Sequence, residues 1–465
     1  MSYDEEEELL VKGRKAPENL PRSYLLSAGY DGDEKKAYVR LYEPESQEIY
    51  LWYDNTGHLP YLISKTPERE LRQNTKITTH NGFKHFDEVE KYDALLDGNM
   101  IVTKVVAEDP LSIGGSYGAI RTMLDESWES RIRYYNTYIY DQGFILGMPY
   151  RIIDGDLVKD DWSIPESVEE EFEDILEQTE PELKESMREW ARLLQCPVPD
   201  IKRIAVDIEV RPSVQNRLPN ADEATDPVIA VAFAGSDGVR IVFLLNDTGG
   251  EIDTPVIQGT DDVQVFEDER KLIEETFQII DQYPVILTSN GDDFDFKFLR
   301  NRARNLGIPD SENPITLGRR FAFLTNGVHI DLYQFFRNRS IQGYAFGNVY
   351  RENNLDEISS SILDQGKIEI ADFHTLSLGE LGEYCMQDSY ITYQLTAFNN
   401  DLVMNLMVLL SRISKSILED VSRLGVSRWI LSMMEWEHRK ENWLIPNTSD
   451  IIETKGGTTT EAVIK

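Results

Sequence analysis

The sequence predicts an α/β and α+β multidomain fold, and three observations predict it. Short apolar strands alternate with turn clusters over residues 24–64. From residue 201, three strands, a helix, a strand and a helix follow in turn, the order of a mixed-sheet α/β domain. Beyond residue 399, Leu402, Leu406, Leu409, Leu410, Ile413 and Ile417 recur at helical spacing. The length, 465 residues, fits roughly three domains.

The first block reads as strands at 23–26, 37–42 and 48–53, with a turn at Asp31, Gly32 and Asp33. A strand over 100–107 precedes Gly114 and Gly115, which lack the GK[ST] ending of a phosphate loop and read as a turn. A β-rich domain is therefore expected over 1–150. Residues 166–190 hold eleven acidic and two basic side chains, with Val168, Phe172, Ile175 and Leu176 at helical spacing. An acidic amphipathic connector is expected over 151–196.

The domain over 197–398 starts with strands at 204–206, 228–233 and 240–245. A helix follows over 268–282, its apolar stripe made by Leu272, Ile273, Phe277 and Ile280. Next come a strand at 285–287 and a helix over 296–306, stopped by Gly307 and Pro309. A long helix over 379–398 closes the domain. Residues 399–465 form a helical segment whose polar tail, 455–460, is expected to be flexible.

The chain is 41% hydrophobic and 28% charged, which is globular composition. Its 83 acidic and 47 basic residues give a net charge of −36, which excludes binding nucleic acid by an overall basic surface. A high-salt habitat would explain such acidity; solvated acidic helices explain it more simply. Two cysteines, Cys196 and Cys385, are too few for a disulfide framework or a thiolate zinc site. Residues 1–10 are acidic where a signal peptide is basic. The longest apolar run, near 228–234, falls far short of the roughly 18 residues a spanning helix needs. A soluble, reduced, intracellular protein is expected.

Four carboxylates and a tyrosine stand at telling places. Asp207 and Glu209 follow the strand at 204–206, and residues two apart on a strand share a face. Asp295 lies between the strand at 285–287 and the next helix. Tyr384 and Asp388 are four apart, on one helix face. Taken singly, these are a solvated edge, a helix cap and a surface pair; their joint order argues for a centre. Clustered carboxylates repel unless cations neutralise them, and hard oxygen donors without His or Cys suit two Mg²⁺ or Mn²⁺ ions. Such a pair serves in-line displacement at a phosphodiester. Tyr384 would orient the water, since a phenol near pKa 10 is a poor base.

With these residues named, the sequence resembles family B DNA polymerases of archaeal type. Residues 204–210, 288–302 and 384–393 are similar to the three exonuclease motifs of that family, with patterns D-I-E, N-x-x-x-F-D and Y-x-x-x-D. The resemblance extends through His329, Ile330, Asp331, Leu332 and Tyr333, to Tyr30 and to Arg40, Leu41 and Tyr42. It implies a ribonuclease-H-like 3′→5′ exonuclease domain over 197–398. It implies metal ligation by Asp207, Glu209, Asp295 and Asp388, with Tyr384 positioning water. It implies that Asn290 and Phe294 contact the frayed primer end, Phe294 by stacking. Val210 stands where the family usually has Thr.

The palm motifs of that family, D-x-x-S-L-Y-P and D-T-D, do not occur in these 465 residues. The helical segment is thus expected to lead toward a missing palm, as part of one gene or as one subunit of a split polymerase. Implied partners are single-stranded DNA, primer-template DNA and the remaining palm, fingers and thumb; the implied setting is cytoplasmic, at the nucleoid, with no membrane. The alternative is a non-catalytic DNA-binding or scaffolding subunit on the same fold. Lys297, Arg300, Arg302 and Arg304 are expected to form a local positive surface, or else a solvated helix face. The family also implies an N-terminal uracil pocket, with Tyr30 and Pro60 at its positions, 111–113 near its apolar wall, and Thr137 where an Arg is common.

Overall fold

A computed structural model describes residues 11–115, 118–212, 218–247, 254–368 and 376–446. The acidic start (1–10) and the polar tail (455–460) lie outside the described residues.

The N-terminal block holds two sheets. One has the strand order Arg14–Lys15, Glu48–Tyr53, Lys36–Glu43, Leu20–Asp31, Pro149–Ile153 and Asp156–Lys159. The other pairs Tyr61–Ser64 with Gly98–Ala107, and that strand with Phe83–Asp93. The block therefore runs to Lys159, past the expected boundary at 150, because the last two strands complete the first sheet. Gly114 and Gly115 sit in a single wide helical turn, Leu111–Gly115, not in an open turn.

The acidic connector forms two helices, Glu166–Glu177 and Pro181–Gln195. Leu176 and Leu193 are buried in it, whereas Ile175 faces solvent. Leu176 alone of the expected stripe is fully covered, so the helix touches the body along a narrower seam than the spacing suggested.

The third sheet, of six strands, carries the acidic residues picked out in the sequence. Its strands are β1 (Arg203–Val210), β2 (Val228–Gly235), β3 (Arg240–Leu245), β4 (Asp262–Phe266), β5 (Val285–Thr288) and β6 (Val328–Asp331). The spatial order is β4-β3-β2-β1-β5-β6. β2 runs antiparallel to β1 and β3, while β5 runs parallel to β1 and β6. β1 is thus central, which explains its apolar start at Ile204, Ala205 and Val206. Strands β4 and β6 escape the sequence reading because they are short and β4 is partly exposed.

Helix α1 (Glu269–Asp281) joins β4 to β5, and α2 (Asp295–Asn305) follows β5. Asp268 caps α1 by accepting the Arg270 N–H. Helix α3 (Leu378–Ser414) starts with a capping box between Ser377 and Glu380. Its axis breaks at residues 398–401, where Asn399, Asn400 and Asp401 have φ of 50°, 57° and 59°. Asn and Asp tolerate that left-handed backbone, so the expected boundary at 398/399 is a hinge in a longer helical run. Helices α4 (Leu418–Arg423) and α5 (Val426–Lys440) follow, and Trp443 and Leu444 return to Tyr92 in the N-terminal block.

Two cores meet at the central sheet. Ile286 on β5 belongs to the core beneath α1 and α2, while its neighbours Val285 and Leu287 belong to a core shared with the N-terminal sheet and α3 to α5. This period-two partition locks the N-terminal block and the C-terminal helices onto the sheet.

Candidate active site

Alternation along β1 sorts its side chains. Ile204, Val206, Ile208 and Val210 enter one core, leaving Ala205, Asp207 and Glu209 on the opposite face. Across the ladder, Asp207 pairs with Ala232 and Glu209 with Ala230. Those small partners leave room for α3 to lie close over the two strands. Ser389 on α3 donates to the Ala205 carbonyl at 3.0 Å. The ladder shifts register between Glu209 and Val210, a bulge beside the carboxylates.

Helix α3 brings Tyr384, Cys385 and Asp388 to this face. Carboxylate oxygens of Asp207, Glu209 and Asp388 lie within 4.8 Å of one another. Asp388 is 2% exposed, and its Oδ1 has no hydrogen-bond partner among the described residues. Burial first, and the neighbouring carboxylates second, raise the Asp207 carboxyl well above the usual range. The same causes push Glu209 up to about 8. Burial also raises Asp388, opposed by the Lys367 ammonium that it pairs with. Burial pushes the Tyr384 phenol up to about 12, with the Asp388 charge adding to it. The Cys385 thiol lies 3.6 Å from Asp207 Oδ2.

Asp295 behaves differently. It opens α2 as its first helical residue, with Phe294 at the cap position, so it is not the cap its sequence place suggested. It is 5% exposed, and its Oδ1 accepts the Ile208 N–H of β1 at 3.3 Å. Burial raises it to about 7. It therefore borders the centre from the β1 side without joining the group of three.

The loop before Asp295 is braced from below. Asp331, at the end of β6, accepts the N–H groups of Asn290 and Asp292, each at 2.9 Å. Asn290 has φ of 76°, and Gly291 packs against Thr288. Phe294 is half-buried, with its ring centroid 5.7 Å from that of Phe298.

The expected positive surface does not form. Lys297 pairs with Asp222 at 2.7 Å, Arg300 with Asp310 at 2.7 Å, Arg302 with Glu269 at 2.5 Å and Arg304 with Asp310 at 3.6 Å. In so acidic a chain every cation on α2 finds a carboxylate partner. Tyr30 meets Tyr134 edge-on at 5.3 Å, and its hydroxyl lies 3.4 Å from the Glu108 carbonyl. Pro60 is buried and accepts the Ala107 N–H at 2.9 Å. Both thus border the end of one strand, Gly98–Ala107. Ile113 and Thr137 are buried nearby in sequence terms, Thr137 one turn after Tyr134 on the helix Tyr134–Gln142.

Sequence reasoning missed Lys367, Asp292 and Arg423. No periodicity or motif marks Lys367 or Arg423. Asp331 was detectable as a cap, because it follows an apolar run and starts the helix Leu332–Arg337 by accepting the Tyr333 N–H.

Residues 126–345 match the family model "DNA polymerase family B, exonuclease domain". The match thus starts before the expected boundary at 197 and ends before α3. DNA polymerase 1 of Sulfolobus acidocaldarius is 38% identical over 446 residues, covering 95% of this chain and 50% of that protein. DNA polymerase 1 of Aeropyrum pernix is 35% identical over 450 residues, covering 96% of this chain and 47% of that protein. The chain spans about half the length of the curated relatives it matches. Among solved structures, the family B DNA polymerase of Pyrobaculum calidifontis shares the fold, with a TM-score of 0.65 at 17% identity over 92% of this chain and 51% of that one. Over residues 126–345 the chain is similar to the exonuclease domain of DNA polymerase family B, and over nearly its whole length it is similar to about half of the archaeal DNA polymerase 1 proteins.

Proposed function

We propose that this chain is a divalent-metal-dependent 3′→5′ exodeoxyribonuclease that removes nucleotides from frayed primer ends and single-stranded DNA. The observation that carries the reading is the convergence of Asp207, Glu209 and Asp388 within 4.8 Å. Its domains would be the N-terminal block, the acidic connector, the exonuclease domain and the helical segment leading toward a palm.

The donor set fits hard cations. It is all carboxylate oxygen, and the buried Asp388 Oδ1 has no hydrogen-bond partner among the described residues, which suits it to a cation. Asp207, Glu209 and Asp388 would hold Mg²⁺ or Mn²⁺, with Asp295 completing a two-ion site from the β1 side. Bound there, the ions would lower the pKa of an attacking water and shield charge on the leaving 3′ oxygen. The protein's own groups do the rest. Tyr384 keeps its proton at neutral pH, so it orients the water by hydrogen bond and does not act as base. Lys367 neutralises part of the Asp388 charge. Asn290 and Phe294 lie in the loop that leads into Asp295 and would hold the terminal nucleotide, Phe294 by stacking. Tyr30 and Pro60 would frame a uracil pocket in the template path. The partners would be primer-template DNA and the palm, fingers and thumb of the polymerase, working in the cytoplasm at the nucleoid. No helix among the described residues is long and apolar enough to cross a membrane.

The test is direction and metal dependence. With single-stranded DNA labelled at its 5′ end, the reading expects a ladder of shortened products, dependent on Mg²⁺ or Mn²⁺ and abolished by EDTA. Immediate release of the 5′ label as a mononucleotide, or cleavage in EDTA, contradicts it.

A further inference from the structure

All six residues of α4 are buried, and its three charged side chains leave in three directions. Glu419 accepts Ser27 Oγ at 2.7 Å and lies 3.8 Å from Arg40, both on the N-terminal sheet. Asp420 accepts from Arg133 at 3.1 Å and from the Tyr135 hydroxyl at 2.7 Å, at the N-terminal helix. Arg423 reaches the loop before Asp295. Its Nε donates to Asp292 Oδ2 and its Nη2 to Asp292 Oδ1, both at 2.8 Å. Nη2 also donates to the Ala322 carbonyl at 2.5 Å and lies 2.9 Å from His329 Nδ1. The rings of Phe321 and Phe323 each lie 5.0 Å from the guanidinium.

This pair is a costly way to gain stability, because both charges are desolvated, at 0% and 4% side-chain exposure. A two-pronged guanidinium–carboxylate contact instead fixes orientation as well as distance. The fixed object is the loop from Asn290 to Asp295. Asp331 holds its backbone and Arg423 holds its one buried side-chain carboxylate before Asp295. Three residues beyond Asp292, α2 begins at Asp295.

We propose that Arg423 is a positioning residue: through Asp292 it sets the loop that presents Asp295, and α4 thereby ties the acidic centre to the seating of the N-terminal block. This rests on the nuclease reading above. The loop's shape is then a property of three packed units and not of the local motif alone.

The test uses the full chain with Arg423→Lys, which keeps charge but loses the fork, Asp292→Asn, and the double variant Asp292→Asn/Arg423→Met. Three readouts apply: kcat and KM on single-stranded DNA, Mn²⁺ affinity by spin-resonance titration without DNA, and amide exchange over 291–296. Support for a metal ligand from its surroundings is worth about tenfold or more in affinity or activity, and a loss of that size is expected in kcat and Mn²⁺ affinity. KM for the strand should hold within about threefold, since Asp331 anchors Asn290 independently. Exchange over the loop should quicken. The double variant removes both buried charges together, so it is expected to fold well and to lose no more kcat than either single variant. Folded variants with wild-type kcat, Mn²⁺ affinity and loop exchange overturn the proposal, as does a double variant that loses more kcat than either single variant. A wild-type chain that binds Mn²⁺ without cleaving DNA overturns the nuclease reading instead, and leaves Mn²⁺ affinity and exchange to decide the role of Arg423.

Discussion

His329 shows how a single buried residue reports on its surroundings. It is fully buried between Thr288, Ala322 and Arg423. Burial lowers it from its ordinary 6.5 to about 4; Asp292 opposes that shift and Arg423 adds to it. A histidine depressed on folding takes up a proton more readily when unfolded. Its contribution to stability is therefore full above pH 6.5 and is lost as pH falls toward 4, by about 3 kcal/mol. The acidic centre acts with the opposite sign, because Glu209 and Asp295 are raised on folding and gain stability on acidification. The useful quantity is thus the difference between wild type and His329→Asn in urea unfolding. That difference is expected to shrink between pH 7 and pH 4; a difference independent of pH contradicts the assignment. At this scale the sequence was informative where chemistry repeats. Asp207, Glu209, Tyr384 and Asp388 were legible because period two and period 3.6 placed each pair on one face. Lys367 and Arg423 were not, because each acts across a long sequence separation with no local pattern to announce it.

Elements were legible in proportion to how far their burial is one-sided. Helix α1 shows an apolar stripe and its Asp268 cap, and it forms where the spacing put it. Strand β1 was read too short, since its polar end carries the centre and breaks the apolar run. Strand β6 is only four residues long and gives almost no periodic signal. The loop between β5 and α2 is governed by a close approach. A β-carbon on Gly291 would lie 2.3 Å from Thr288 Oγ1 and 2.6 Å from Thr288 Cβ. Thr288 cannot swing aside freely, because its Oγ1 is held at 2.8 Å from His329 Nε2. Gly291→Ala is therefore expected to cost about 1–3 kcal/mol, as overpacking does. A lowered urea midpoint together with reduced nuclease rate is the expected result; wild-type stability would show that the loop relaxes at no cost.

Across the whole molecule, charge and connectivity decide what the chain can do. In a chain of net charge −36 the four cations of α2 are each paired with a carboxylate, so that helix presents no free basic face. The fold class was legible because strand and helix texture changes at residue 201; the way the N-terminal sheet and C-terminal helices share one core was not, since only three-dimensional packing reveals it. The palm motifs do not occur in these 465 residues, so primer extension by the purified chain is expected to be absent. Template-directed addition that persists through stringent purification contradicts that. The central claim is that the carboxylates on β1 and α3 form the nuclease centre. Its most direct measurement is the Mn²⁺-dependent rate of single-stranded DNA degradation by Asp207→Ala/Glu209→Ala, with circular dichroism confirming the fold. The expected result is a loss of more than about a hundredfold in kcat with the fold intact. A folded double variant that degrades DNA at the wild-type rate would contradict it.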